Sequence, residues 1–224
     1  MHLTLFDLDH TLINTDSNQA WVRFLIAHGV LEAASYREQS AAMERRYRQE
    51  TDGIDIAFCE FFIATLARVG TARLEALLPQ FVAQAIAPCV NAGTFALIAE
   101  RRERGDFVAI ITATNRVITA PIAAWLGIDS LIATEVEMDD GRITGRVLGT
   151  PSMREGKVLR LDAWLAAGAL PGIRHRSELA GLTFYSDSIN DLPLLNVASE
   201  PVAVNPDAGL ARHAAACGWP IRRL

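Results

Sequence analysis

Asp7 and Asp9 stand two residues apart in Leu3-Thr4-Leu5-Phe6-Asp7-Leu8-Asp9-His10-Thr11-Leu12-Ile13, where a short apolar run ends and a hydroxyl follows. The run reads as a buried strand. Side chains on a strand alternate between faces, but where strand becomes loop both acids can converge on one site above the strand end. Two carboxylates this close repel unless a cation or a shared proton holds them. The pattern suits a carboxylate nucleophile, a second carboxylate for proton transfer and a divalent metal. The plainer alternative is a solvated turn that happens to hold two acids.

Other polar residues also follow apolar runs. Thr112 follows Phe107-Val108-Ala109-Ile110-Ile111, and Asp187 follows Leu182-Thr183-Phe184-Tyr185-Ser186. The second of these opens Asp187-Ser188-Ile189-Asn190-Asp191, acids separated by small polar residues, which suits a hard cation with oxygen ligands such as Mg²⁺. Asn190 or Asp191 could instead cap the helix expected at Leu192. Lys157 lies near the start of another expected helix, where its charge opposes the helix dipole. It is the only lysine in the chain, and a phosphate or a carboxylate nucleophile would explain its place.

The elements that must position these residues divide into two blocks. From about Asn14 to Pro88 the pattern is helical almost throughout: Gln19–His28 stopped by Gly29, then Ala33–Gln49, Asp55–Val69 and Thr71–Ile86. From Gly93 helices and strands alternate. Helices are expected at Thr94–Arg104, Ile118–Trp125 and Met153–Ala167, and strands at Phe107–Ile111, Leu131–Ala133, Leu182–Tyr185 and Pro201–Val204. A hairpin over Glu135–Val147 should turn at Asp140-Gly141. The expected fold is α/β: a Rossmann-like, three-layer parallel-sheet core formed by residues 1–13 and 90–224, with residues 14–89 inserted as a helical cap. Ligands on such sheets bind beyond the carboxyl ends of the strands, the edge where Asp7, Asp9, Thr112 and Asp187 gather.

Composition narrows the function classes. The 224 residues are half apolar, with a net charge of −5. An acidic chain argues against a nucleic-acid surface. Cys59, Cys89 and Cys217 are odd in number and lack metal-like spacing, so they read as free thiols of a cytoplasmic protein. No signal peptide and no segment of about 20 apolar residues is evident, so no membrane span is expected. Monomer and homodimer are both compatible with the sequence.

Asp7-Leu8-Asp9-His10-Thr11, Thr112, Lys157 and Asp187-Ser188-Ile189-Asn190-Asp191 resemble, in order, the four motifs of the haloacid dehalogenase superfamily of phosphohydrolases. The helical cap between the first two, and the hairpin before the lysine helix, resemble its phosphoserine phosphatase-like branch, which includes histidinol-phosphate phosphatases. The resemblance implies an Mg²⁺-dependent phosphomonoesterase of a small phosphorylated metabolite. Asp7 would attack phosphorus to give an aspartyl-phosphate, and Asp9 would protonate the leaving alcohol and later deprotonate water. Mg²⁺ would bind Asp7, the Asp9 carbonyl and Asp187. Thr112 and the amides after it, beginning with Ala113, would hold phosphoryl oxygens, and Lys157 would pair with the nucleophile and the phosphoryl group. Asn190 and Asp191 would orient water, metal or lysine. Because dehalogenases lack the second acid, its presence favours phosphomonoester hydrolysis.

For the substrate, the resemblance puts Asp16 where phosphoserine phosphatases meet the substrate amine. Phe61, Phe62 and Ile63 stand where those enzymes carry arginines for the substrate carboxylate, with Arg45, Arg46 and Arg68 as unaligned substitutes. This lowers phosphoserine and leaves room for an amine-bearing phosphate without a carboxylate, such as histidinol phosphate. Trp21, Phe24, Phe58, Phe61 and Phe62 either line the cap or pack its core, and His10 is expected to serve only through its backbone. A phosphotransferase with the same chemistry, and a non-catalytic binding protein that keeps the fold, are the alternatives.

Overall fold

The computed structural model describes residues 1–49 and 53–224, without the side chains of residues 44 and 47–49. The first strand, β1 (His2–Phe6), alternates its side chains between two buried faces. Leu3 and Leu5 enter one apolar cluster and Phe6 the other. It pairs in parallel with β2 (Phe107–Asn115) on one side and β6 (Gly181–Ser186) on the other. The sheet is completed by β3 (Ser130–Thr134), β7 (Glu200–Val204) and β8 (Ile221–Arg222), in the order β3-β2-β1-β6-β7-β8, every pair parallel. Parallel strands need crossovers, and helices supply them on both faces. α5 (Thr94–Glu103) and α6 (Arg116–Trp125) cover one face; α7 (Glu155–Ala166), α8 (Leu192–Leu195) and α9 (Ala208–Cys217) cover the other.

Between β1 and α5 the chain is helical: α1 (Ser17–Ala27), α2 (Ala33–Gln49), α3 (Ile54–Val69) and α4 (Thr71–Phe81), the last running into a π-helical turn at Val82–Ile86. Trp21, Phe24, Phe62, Leu66 and Phe81 join the cluster that contains Phe6 and Ile110. The helical insert therefore shares a core with one face of the sheet. Where the chain enters and leaves the insert, its two crossings are stapled side by side. Asn14 N–H donates to Cys89 O at 2.6 Å, Asn91 N–H to Leu12 O at 3.2 Å, and the Thr94 hydroxyl to Leu12 O at 2.6 Å.

The hairpin β4 (Val136–Asp139) and β5 (Arg142–Val147) turns through Asp140 and Gly141, both at positive φ as a two-residue I′ turn requires. It packs on α3, where Cys59 and Ile63 meet Val136, Ile143 and Val147, and Val147 N–H donates to Glu60. The insert is thus gripped from two sides, by the sheet and by this hairpin.

Three elements differ from the sequence expectation. Strand β2 does not end at Ile111 but continues to Asn115 through a register shift against β3. Beyond Ile111 its polar residues serve the site and the next helix: Thr112 lines a cavity, Thr114 donates to Asp9 and Asn115 caps α6, so the apolar run stops before the strand does. Helix α9 is opened by Asp207, whose carboxylate accepts from Leu210 N–H at 2.7 Å. The two-residue β8 is too short to leave a periodic signal.

Candidate active site

The strand ends of β1, β2 and β6 meet the start of α7 around one cavity. Asp7, Asp9, His10, Thr112, Ala113, Lys157, Asp187, Asn190 and Asp191 line it, together with Met153, Arg154 and Ser188. The loop after Asp7 is folded back on itself. The amides of Thr11, Leu12 and Ile13 all point to Leu8 O, and His10 takes φ 56°, the left-handed conformation needed for the reversal. Asp7 and Asp9 are thereby brought to the same cavity.

Lys157 reaches the cavity because of the turn before it. Gly156 N–H donates to Met153 O at 2.8 Å, and Lys157 N–H to Arg154 O at 3.1 Å. A Cβ on Gly156 would overlap the carbonyl oxygen of Pro151, so only glycine permits this approach. The Lys157 side chain is buried, with Nζ 2.8 Å from Asp7 Oδ1 and 2.6 Å from Asp191 Oδ2. Burial alone would favour the neutral amine, but the two carboxylates outweigh it and raise the Lys157 pKa above its ordinary value. Asp191 also accepts from the Ser186 hydroxyl at 2.6 Å. Its carboxylate therefore anchors the lysine and caps no helix; the Ser188 hydroxyl caps the short turn, accepting from Asn190 N–H. Asn190 is exposed at the rim of the cavity.

The acids of the cavity differ in their surroundings. Burial raises Asp7 to about 6 against the pull of Lys157, with Asp191 repelling it further. Asp9 is raised well above the usual carboxylate range, by burial first and then by repulsion from Asp16 and Asp7, although Ser17 hydrogen bonds oppose the shift. Asp187 is raised to about 8 by burial and by repulsion from Asp7 and Asp191. The Thr11 hydroxyl donates to Asp187 Oδ1 at 3.4 Å.

Asp7, Asp187 and Asp191 thus crowd around a single ammonium, and the excess negative charge fits a hard divalent cation. No group of three or more His, Cys, Asp or Glu side chains with metal-binding geometry occurs among the described residues. Asp7, Asp187 and a backbone carbonyl nevertheless suit a cation that keeps several water ligands and binds through one or two carboxylates.

The remaining expected residues are placed as follows. Thr112 is buried beside Asp7 and Lys157 at the cavity wall, and its oxygen accepts from Thr114 N–H at 3.2 Å, which leaves its proton for another acceptor. Asp16 does not line the cavity. It caps α1, with Oδ1 accepting from Gln19 N–H at 2.8 Å. Arg45, Arg46 and Arg68 are exposed on the insert and likewise do not line the cavity. Trp21, Phe24 and Phe62 are buried in ring contacts, and Phe58 and Phe61 join them half-buried, so the aromatic residues pack the insert.

Two contributors lie beyond the sequence pattern. Thr114 donates to Asp9 Oδ2 at 2.9 Å, a lone hydroxyl in a threonine-rich strand end with no spacing signal. Arg154 lines the cavity at φ 50° and pairs with Asp55 of α3 at 3.2 Å. Its position, three residues before the lysine, is the one clue that the sequence offers.

Comparison with known proteins gives the same assignment. The family model for haloacid dehalogenase-like hydrolases matches residues 4–196. The histidinol-phosphatase of Neisseria meningitidis serogroup C is 42% identical over 222 residues, covering 98% of this chain and 97% of its own. A crystal structure of a Bordetella pertussis protein of unknown function superposes with a TM-score of 0.89 at 39% identity, covering 99% of this chain and 97% of the other. A phospho-aspartyl intermediate analogue of phosphoserine phosphatase shares the fold at a TM-score of 0.64 and 18% identity, covering 99% and 92%. The six-stranded parallel sheet with its helical insert is the architecture of these phosphatases. The chain belongs to the haloacid dehalogenase-like hydrolases, in their phosphoserine phosphatase-like branch, and is a phosphatase of that family.

Proposed function

We propose that the protein hydrolyses the phosphomonoester of a small amine-bearing alcohol, of the histidinol phosphate type, through an aspartyl-phosphate on Asp7. The observation that carries the mechanism is the unequal environment of the two acids. Asp7 is paired with the Lys157 ammonium at 2.8 Å, which favours its anion. Asp9 accepts from uncharged donors, among them Ser17 N–H and Thr114 Oγ1, and burial with repulsion from Asp16 and Asp7 raises its pKa, which favours its protonated form. Two carboxylates pushed apart in this way divide into nucleophile and acid.

In the first half-reaction the Asp7 carboxylate forms a bond to phosphorus as the ester P–O bond breaks, and the Asp9 proton passes to the leaving oxygen. In the second, water attacks phosphorus, the Asp9 carboxylate takes its proton, and the bond to Asp7 breaks to release phosphate. Thr112, its own oxygen already accepting from Thr114 N–H, has a proton to offer a phosphoryl oxygen, with Ala113 beside it. Lys157 holds the nucleophile and balances phosphoryl charge, and Asp191 holds Lys157. Mg²⁺ fits the donor set of Asp7, Asp187 and the Asp9 carbonyl, and when bound would neutralise the phosphoryl group so that an anionic carboxylate can approach it.

The substrate class is supported by the identity to the Neisseria histidinol-phosphatase. The test is a panel of phosphorylated metabolites with Mg²⁺, read as kcat/KM and as the partition of phosphate between water and an added alcohol. Histidinol phosphate should exceed phosphoserine, with inorganic phosphate as the product. Preference for phosphoserine, or transfer mainly to the alcohol, would overturn the reading.

A further inference from the structure

Thr114 lies outside the residues that the family motifs account for, yet its hydroxyl touches the carboxyl of Asp9. The direction of that contact follows from the other neighbours of the hydroxyl. Asn18 Nδ2, which can only donate, reaches Thr114 Oγ1 at 3.1 Å, and the Ser17 hydroxyl donates to the same oxygen at 3.2 Å. A hydroxyl has two lone pairs and one proton. Both lone pairs are taken, so the proton is directed to Asp9 Oδ2, 2.9 Å away. Thr114 and Ser17 are buried, so bulk water does not compete for these bonds. The other Asp9 oxygen, Oδ1, accepts from Ser17 N–H at 3.0 Å.

We propose that Thr114, oriented by Ser17 and Asn18, is the positioning residue for the catalytic acid, holding the Asp9 carboxyl in the plane from which its proton reaches the leaving alcohol. The inference rests on Asp9 being that acid. One lone pair on each Asp9 oxygen is occupied by a fixed donor, leaving the other for the transferred proton. Thr114 keeps its own proton throughout. When the Asp9 proton passes to the ester oxygen as the P–O bond breaks, Oδ2 still accepts from Thr114. It does so again when Asp9 takes a proton from the attacking water. Ser17 and Asn18 belong to the first turn of α1, so the acid is aligned by a clamp between the insert and strand β2.

A misaligned acid harms a reaction in proportion to its need for a proton. An alkoxide leaves poorly without protonation, whereas p-nitrophenolate leaves unaided. The test compares kcat on p-nitrophenyl phosphate with kcat on histidinol phosphate or phosphoserine, whichever alkyl ester turns over faster. Asp9→Asn is the reference, and circular dichroism and thermal unfolding check the fold. Thr114→Val should lower kcat on the alkyl ester roughly 10- to 100-fold but on the aryl ester only about threefold or less, with KM unchanged on both. Thr114→Ser should restore most of the alkyl rate, and Asn18→Ala should show the same selectivity to a smaller degree. Equal losses on both esters in Thr114→Val, while Asp9→Asn discriminates between them, would overturn the role of Thr114 and leave Asp9 as the acid. If Thr114→Val does not fold, equal losses on both esters in Asn18→Ala would overturn that role in its place. Failure of Asp9→Asn to discriminate would remove the acid assignment and the inference with it.

Discussion

Lys157 Nζ sits between two carboxylates, 2.6 Å from Asp191 Oδ2 and 2.8 Å from Asp7 Oδ1, with all three side chains buried. Removing the ammonium leaves two buried acids facing each other, whereas neutralising Asp191 leaves one compensated pair. Lys157→Ala should therefore destabilise the fold by about 3–5 kcal/mol. Asp191→Asn should fold nearly as well but turn over more slowly, because the lysine loses its anchor. Chemical denaturation beside kcat for both variants checks this. Equal destabilisation in the two would mean that Asp191 is needed for the fold as much as the lysine.

The crowding of Asp187 with Asp7 and Asp191 makes a prediction about Mg²⁺ and pH. In the metal-free protein the Asp187 carboxyl is raised to about 8, against about 3.9 for an unfolded aspartate. The folded state thus binds a proton that the unfolded state releases. Its stabilising effect is fully present below about pH 4 and is lost as pH rises through about 8. A bound cation replaces that proton. The rise in Tm on adding Mg²⁺ should accordingly be small at pH 5.5 and grow toward pH 8. Asp187→Asn should reduce both the Mg²⁺-dependent rise and its dependence on pH. Differential scanning calorimetry with and without Mg²⁺ across that range measures it.

The acids and the lysine are legible in the sequence because their types conflict with their places. Carboxylates ending buried strands, and a lone lysine against a helix dipole, demand a partner, and the topology of a parallel sheet collects strand ends at one edge. Thr114 raises no such conflict, since a threonine is an ordinary strand residue and its value lies in hydrogen bonds from α1, a contact across 96 residues to Asn18. The family pattern aligns Asp16 with a substrate-binding acid, while the local rule for an acid before a helix describes what its Oδ1 does. The apolar run of β2 stops at Ile111 because hydrophobicity marks burial in a core, whereas beyond it Thr112 lines a cavity, Thr114 bonds Asp9 and Asn115 caps α6.

Gly156 offers a test of how the lysine is delivered. Alanine there would drive a Cβ into the Pro151 carbonyl, which is backbone and cannot rotate away. The first turn of α7 must then shift, at a cost of about 1–3 kcal/mol. Because Lys157 is the next residue, Gly156→Ala should lose activity well beyond its loss of stability. Comparing kcat at a temperature where the variant is fully folded isolates the displacement, and full activity there would show that the turn tolerates a side chain.

Arg154 combines two features that substitutions can separate. Its backbone, at φ 50° and ψ −123°, lies where glycine is favoured, while the residue lines the cavity and its guanidinium pairs with Asp55 of the insert. Arg154→Gly relieves the backbone while removing the side chain; Arg154→Ala removes the side chain alone. The two variants should show the same rise in KM for an alkyl phosphate, because each loses the arginine side chain beside the cavity and its link to α3. They should differ in stability, the glycine variant being more stable than the alanine variant by about 1 kcal/mol. Urea denaturation and steady-state kinetics read the two effects independently. An unchanged KM in both would restrict Arg154 to holding the insert, and equal stability would mean that the turn bears no strain.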